Sequence, residues 1–542
     1  MEEYDDPLLA RLEELNRIGA ALSSEKNIHR LLETILVAAK RITRADAGTL
    51  YLVDNENQEL HFEIVLNDTL GITPGGGTAE RSAFAPVPLF DEEGAPNHTM
   101  VVAHAALSGK TVNIPDAYIA AGYDFSGTKE FDQKSGYRSQ SFLTVPMRDH
   151  ENQVIGVLQL INAKSEETGG TTRFSAQNQR LVESLASQAA IALTNRKLVQ
   201  QLEELFESFV NLINTAIDDK SPYTGRHCER VPDLTMMLAE AVSRTDTGPF
   251  ARFSMSDKDR YELKIASMLH DCGKVATPVY VVDKATKLQT IFDRIALIDT
   301  RFEVVKRDAE IEMLRGELAS RAESRRAVQW QERFEVRLRE IEEDRAFLHT
   351  VNIGSERMSD EAVERVRQIA LRYRWRDAQG AEQPFLSDNE IENLTVRAGT
   401  LTAAEREIIN RHIDTTIKML ESLPWPQHLK NVPEYAGGHH ERMDGKGYPR
   451  GLSREQMSVQ ARMMGIADIF EALTARDRPY KKGKTLSESL NILGKFKLNG
   501  HVDPDLFDIF VRQGVYLEYA RRFLSPEQID EVDLTQIPGY TP

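Results

Sequence analysis

From Ala176 to Ala216 the chain carries neither proline nor glycine, so nothing interrupts a helix much longer than the globular average. Within it Leu198, Leu202, Leu205, Phe209, Leu212 and Ala216 succeed one another at spacings of four, three, four, three and four, which is the a/d seam of a coiled coil. The spacing predicts a connecting helix over 176–217 that divides the chain into an N-terminal and a C-terminal part. A chain of 542 residues is in any case too long for one ordinary core. The seam suits either a parallel dimer that carries a change along the chain or packing against the chain's own domain. Gln200, Gln201, Glu203 and Glu204 occupy much of the remaining surface, which favours the homodimer.

Composition narrows the class. There is no run of about eighteen uncharged apolar residues, and Met1-Glu2-Glu3-Tyr4-Asp5-Asp6 is acidic, so neither a spanning helix nor a secretory signal is expected and the expected location is cytoplasmic. Two cysteines, Cys228 and Cys272, fit a reducing compartment rather than a disulfide framework. A net charge of −17 disfavours nucleic acid and anionic membrane as partners. An anionic substrate would then have to be held by metal ions or by clustered lysine and arginine.

Ahead of the connecting helix, residues 8–43 have helical periodicity, with an N-terminal helix expected within 1–24. Short apolar runs come next, at Thr49 to Val53, Leu60 to Val65, Phe142 to Met147 and Val154 to Ile161. They suit an antiparallel sheet with hairpins, hence an α+β sensor domain. This order of elements, with Ala47-Gly48-Thr49-Leu50-Tyr51-Leu52, Val112-Asn113-Ile114-Pro115-Asp116 and Gly156-Val157-Leu158-Gln159-Leu160-Ile161-Asn162, resembles a GAF domain over about 25–195. The resemblance implies either a small-molecule ligand of unknown kind or a purely dimerising role, and the second is preferred. Asn162, Lys164 and Phe174 match part of the pattern of cyclic-nucleotide-binding members, but Asn178 and Gln179 stand where its acidic end belongs. Gly75-Gly76-Gly77 is expected to be a loop rather than a phosphate cradle, since no Gly-Lys-Ser/Thr comes after it.

Beyond the connecting helix, potential ligands are scattered. An apolar helix containing Leu263, Ala266 and Leu269 leads into His270-Asp271-Cys272-Gly273-Lys274. Adjacent histidine and aspartate can offer an imidazole nitrogen to one metal and carboxylate oxygens to two. A helix over 405–422 sets His412 among isoleucines, and Asp468 stands beside the apolar stripe of another helix, where an unpaired carboxylate is expensive. Between them lies Gly437-Gly438-His439-His440-Glu441-Arg442-Met443-Asp444-Gly445-Lys446-Gly447-Tyr448-Pro449, too rich in glycine for a helix but well suited to a rigid ligand-bearing loop. Any one of these histidines alone would more often be a packed or exposed side chain.

Their order is informative. His227, His270-Asp271, Lys274, His412, His439-His440, the Asp444 to Pro449 loop, Asp468 and Arg478-Pro479-Tyr480-Lys481 together resemble the HD-GYP subgroup of the HD-domain phosphohydrolases over about 205–542. The resemblance implies an all-helical domain hydrolysing the bacterial second messenger cyclic di-GMP. By it, His270, Asp271, His412, His439, His440 and Asp468 are metal ligands with Asp271 bridging, and His227 is a further ligand of some members. Two divalent transition-metal ions are implied rather than three, because Tyr223 replaces the glutamate of three-metal members; Asp218 or Asp219 is the alternative third-site carboxylate. Imidazole and carboxylate suit iron, manganese, nickel or zinc, and the resemblance favours iron or manganese. Asp271 and Lys274 are the implied catalytic pair. Lys274, Tyr448, Arg478 and Lys481 would contact substrate, and Lys446 would face a partner such as a diguanylate cyclase. Met443 replaces a common tryptophan.

Residues 289–390 read as an insertion, two long charged helices turning near Ser320 to Arg326, either a protruding arm or dimer contact or a solvated spacer. Thr402 with Glu405 predicts a capping box opening the His412 helix. Leu486 to Leu534 is expected to be helical with breaks at Pro504 and Pro526, and the tail from Thr535 to be extended. The main alternatives are an HD phosphohydrolase acting on another cyclic dinucleotide or a nucleotide, and a catalytically silent receptor or adaptor.

Overall fold

A computed structural model describes residues 17–21, 25, 27–72, 84–220, 226–319, 324–355, 357–476 and 483–541. The chain folds as two compact units, one ending at Leu205 and one beginning at Phe206. A single helix, Ala176–Lys220, ends the first and begins the second. It runs a few residues beyond the expected 217. Of the expected N-terminal helix, residues 17–21 are described and helical, with Ile18 buried. Gly75-Gly76-Gly77 lies outside the described residues.

In the first unit, helix Ile28–Thr43 is succeeded by strands β1 (Ala45–Asp54) and β2 (Glu59–Asn67), then β3 (Val87–Pro88), β4 (Val112–Ile114), β5 (Phe142–Arg148), β6 (Val154–Lys164) and β7 (Thr171–Thr172). The strands form one antiparallel sheet in the order β3-β2-β1-β6-β5-β4, with β7 added to β6. Alternation of side chains along a strand decides its two faces. Leu50, Leu143, Val145, Leu158 and Leu160 pack with Leu31, Ile35, Val182, Leu185 and Ala189 of the flanking helices. Tyr51, Leu60 and Val157 point the other way, toward helix Val101–Ser108. On that second face lies a cavity of about 430 Å³ lined by Tyr51, Phe62, Asn67, Asp124, Tyr137 and Phe142, among others.

The fragments of the cyclic-nucleotide pattern are used inside this fold. Lys164 pairs with the buried Asp46 carboxylate, which also accepts from the Tyr137 hydroxyl at 2.7 Å and the Thr69 hydroxyl at 2.8 Å. The Asn162 side chain accepts from the Gln140 amide and donates to the Arg138 carbonyl, each at 2.7 Å. Both residues are therefore already committed to tying the end of β6 to the start of β1 and to the segment that leads into β5.

The second unit is built on helices, among them His227–Ser243, Asp257–Leu269, His412–Glu421, Val459–Thr474, Leu486–Leu498, Pro504–Arg512 and Val515–Phe523. Their apolar faces form one core containing Val231, Leu263, Ala266, Met464, Phe470, Phe507 and Tyr519. The expected capping box at Thr402 and Glu405 is present, but the helix it opens ends at Asn410, and a second begins at His412. Pro504 opens a helix capped by Asp503, and Pro526 opens a short turn. The tail is anchored rather than extended, with Ile537 and Tyr540 buried.

The insertion does contain two long helices, Ile295–Ala319 and Ser324–Asn352. Residues 320–323 of the expected turn lie outside the described residues. Neither a bare arm nor a spacer describes it fully, because its base has its own core of Leu288, Phe302, Ile341, Leu348, Val366, Tyr373 and Phe385. It is not wholly helical either: β8 (Arg374–Arg376) and β9 (Glu382–Pro384) form a small hairpin. Among the described residues no helix is long and apolar enough to cross a membrane.

Candidate metal centre

Seven of the expected ligands converge in the second unit. His227 opens its helix, His270-Asp271 comes directly after the end of Asp257–Leu269, and His412 stands just after the break at Arg411. His439-His440 lies just past the short helix Val432–Gly437, and Asp468 lies within Val459–Thr474. Helix ends suit this task because a side chain there is held by a rigid element yet faces away from its own turns. Gly273 makes one approach possible, since a Cβ at this position would sit 2.0 Å from the His412 carbonyl oxygen.

The side chains form two clusters with a shared member. Asp271, His412, His439 and His440 make one, and His227, His270, Asp271 and Asp468 the other, with the ligand atoms of each within 4.8 Å of one another. His412 Nε2 is 3.2 Å from Asp271 Oδ1 and also 3.2 Å from His440 Nε2. On the other side, Asp271 Oδ2 lies 3.1 Å from His227 Nε2 and 3.2 Å from His270 Nε2. His227 Nε2 is also 3.2 Å from Asp468 Oδ1. Asp271 thus turns one oxygen to each cluster.

Three of the five rings are oriented in the same way. Nδ1 of His270, His412 and His439 donates to the backbone carbonyl three residues upstream, on Ser267, Ile409 and Ala436, at 2.7, 2.5 and 2.6 Å. Each bond fixes the tautomer and leaves Nε2 as a lone pair aimed inward, the state a metal ligand needs. His439 Nε2 and Asp271 Oδ1 are buried without a hydrogen-bond partner among the described residues. Orphaned buried acceptors are costly, and a cation between them removes that cost. The residues therefore fit divalent metal ions.

The electrostatics agree. Burial works to raise the Asp271 carboxyl, but Lys274 and His270 outweigh it and hold it well below the usual range. Asp468 is likewise lowered, with burial overcome chiefly by His227. Burial lowers His439 well below the ordinary imidazole value and takes His440 down to about 4. Ionised carboxylates and neutral imidazoles are the forms that bind metal. His227 goes the other way: burial lowers it, but Glu471, Asp271 and Asp468 prevail and raise it. The carboxylates converging there favour positive charge, whether a proton or a cation.

The remaining expected residues divide. The Lys274 ammonium is in the site, bonded to Asp271 Oδ2, which with Asp468 raises it despite burial. The Tyr448 ring stacks on His440 with centroids 4.8 Å apart. Arg478 and Lys481 lie outside the described residues, as does Tyr223. The side chain of Lys446 is largely exposed beside Asp444. Two buried carboxylates were not anticipated in their roles. Glu441 accepts from the amides of Arg450 at 2.7 Å and Leu452 at 2.9 Å, so it closes the histidine loop rather than binding metal. Glu471 sits against His227 and Arg230. Its sequence signal was its place one turn beyond Asp468 on the same helix.

Comparison with known proteins gives these units a class. Residues 27–193 match the model of the GAF domain and residues 387–506 that of the HD domain. The chain carries a GAF domain and, after it, an HD domain. The HD match contains His412, His439, His440 and Asp468 but begins only at residue 387, at the end of the insertion, so His227 and His270-Asp271 join the site through the fold. More particularly, the chain is 40% identical over 121 residues to a cyclic di-GMP phosphodiesterase of Pseudomonas aeruginosa, covering 22% of this chain and 28% of that protein. It is 38% identical over 121 residues to a 3'3'-cGAMP-specific phosphodiesterase of Vibrio cholerae, covering 22% and 27%. The matched stretch thus spans under a third of either relative. Among solved structures, the GAF domain of an Acinetobacter phosphoenolpyruvate-protein phosphotransferase is similar, at 18% identity and TM-score 0.26, over 35% of this chain and 98% of that one.

Proposed function

We propose that the chain is a metal-dependent phosphodiesterase that opens a phosphodiester bond of cyclic di-GMP, with its HD site as the catalytic centre and its GAF domain as the regulator. The observation that supports this most is the pair of buried clusters sharing Asp271. His227, His270, Asp271 and Asp468 would hold one ion and Asp271, His412, His439 and His440 the other. When bound, two divalent ions supply Lewis-acid stabilisation of a phosphoryl oxygen and lower the pKa of water. Iron or manganese is the proposed pair, the donor set also admitting nickel or zinc.

The chain's own residues do the rest. The Asp271 carboxylate holds the two clusters in register, and the three carbonyl-anchored imidazoles keep their Nε2 atoms fixed before substrate arrives. Lys274 brings a partly buried positive charge next to that carboxylate, where it would offset charge gathering on the phosphate. Tyr448, stacked on His440, would give one wall to a guanine base, and Arg478 and Lys481 are proposed to meet the second phosphate or a guanine edge.

Regulation would run through the helix that joins the units. Leu198, Leu202, Leu205, Phe209 and Leu212 of the seam are 46, 64, 53, 56 and 63% exposed, which favours a homodimer over packing within one chain. Among the described residues the GAF cavity is lined by no lysine or arginine and does have Asp124, which favours an uncharged or cationic ligand over a cyclic nucleotide. Action on a bacterial second messenger would place the protein in the cytoplasm, with a diguanylate cyclase as a partner for the exposed Lys446 loop.

Similarity to the Vibrio enzyme favours a second reading with the same chemistry and 3'3'-cGAMP as substrate. Purified metal-loaded chain incubated with each dinucleotide separates the two: faster loss of cyclic di-GMP is expected, and selective loss of 3'3'-cGAMP would reassign the substrate.

A further inference from the structure

We infer that Glu471, held by Arg230, is a positioning residue that commits His227 to the cluster it forms with His270, Asp271 and Asp468; this rests on the two-cluster reading above. Glu471 is almost wholly buried, with 1% of its side chain exposed. Its Oε2 lies 2.5 Å from His227 Nδ1, and its Oε1 accepts from Arg230 Nη1 at 3.1 Å. The nitrogen of His227 that faces away from the cluster is therefore occupied. The other, Nε2, is left between Asp271 Oδ2, Asp468 Oδ1 and His270 Nε2, at 3.1, 3.2 and 3.3 Å.

His227 is oriented differently from its companions. His270, His412 and His439 each take a backbone carbonyl three residues upstream, a partner that any residue supplies and no substitution removes. His227 is the first residue of its helix and takes a side chain from another helix instead. That helix is the one that carries Asp468, and Glu471 is one turn further along it. One rigid element thus places a ligand directly and a second ligand through a carboxylate. A carboxylate behind an imidazole also makes it a stronger donor than a carbonyl does. Arg230, one turn beyond His227 on the same helix, keeps Glu471 from rotating away and balances its charge.

With both nitrogens assigned, His227 serves one cluster and has none left for another ion. The geometry therefore bears on the number of ions per chain as well as on affinity.

The test uses the full chain as wild type, Glu471→Ala and Glu471→Gln, each stripped of metal and equilibrated with graded free Mn²⁺. Ions per chain are counted by elemental analysis, and coupled and isolated Mn²⁺ are distinguished by electron paramagnetic resonance. Wild type should take up two ions with a coupled signal. Glu471→Ala should weaken one ion by about 10–100-fold, the usual cost of losing such a partner, and leave the other unchanged, so that an isolated signal appears at intermediate metal. Glu471→Gln, which keeps an acceptor for Nδ1–H but loses the charge, should fall between. Melting of the metal-free proteins shows whether each variant folds, and the Gln variant preserves the volume if the Ala variant does not. Two ions bound with wild-type affinity by folded Glu471→Gln and Glu471→Ala would overturn the role of Glu471. Fewer than two ions on wild type would overturn the two-cluster reading, and the proposal with it.

Discussion

Asp271 is the residue on which the proposed chemistry depends most, because its two oxygens face different clusters. Asp271→Asn should therefore lower affinity for both ions, whereas Asp468→Asn should weaken one; counting ions per chain across a metal titration checks the difference. Both should reduce turnover by more than the roughly 100-fold typical of an outer partner. Gly273 makes a second, steric prediction. A Cβ there would meet the His412 carbonyl at 2.0 Å and the Thr416 amide at 2.5 Å, so Gly273→Ala must push the His412 helix away. A cost of about 1–3 kcal/mol is expected from such overpacking, visible as a lower denaturation midpoint together with weaker metal binding. At this scale the histidines and aspartates were legible in the sequence, because few side chains bind metal and their order was distinctive. Glu441 and Glu471 were not. Whether a carboxylate binds metal, closes a loop or orients an imidazole depends on which atoms face it, and that depends on packing between residues far apart in sequence.

The elements were legible where a period or a cap marks them. The capping box at Thr402 formed as expected, while the break at Arg411 that presents His412 had no marker residue. The insertion was read as charge on two helices, and its core was missed because Phe302, Tyr373 and Phe385 are far apart in sequence and meet only when folded. That core contains the buried Lys287, whose ammonium donates to the Leu394 carbonyl at 3.0 Å and whose burial lowers it from 10.5 to about 8. Between these values the unfolded chain binds more protons than the folded one, so stability rises with pH across that window and the full cost is present below pH 8. At about 1.4 kcal/mol per unit the cost is roughly 3 kcal/mol. Lys287→Met keeps the length, leaves one carbonyl unpaired and should gain about 1–2 kcal/mol at pH 7. Denaturation at pH 7 and pH 10 should show the variant's advantage shrinking at the higher pH.

For the whole molecule, the connecting helix was the most legible feature and remains the one that joins sensor to enzyme in the proposal. Its seam is exposed along the described chain, so Leu202→Asp combined with Phe209→Asp should convert a dimer to a monomer in sedimentation, with the metal clusters intact; a double variant sedimenting as wild type would rule out a dimer built on this seam. The central claim is hydrolysis by the shared-carboxylate site. It is tested most directly by incubating metal-loaded wild type and Asp271→Asn with cyclic di-GMP and monitoring the linear and mononucleotide products by chromatography. Product from wild type and next to none from the variant is the predicted result. Undiminished cyclic di-GMP with wild type holding two ions, or equal product from both proteins, would contradict it.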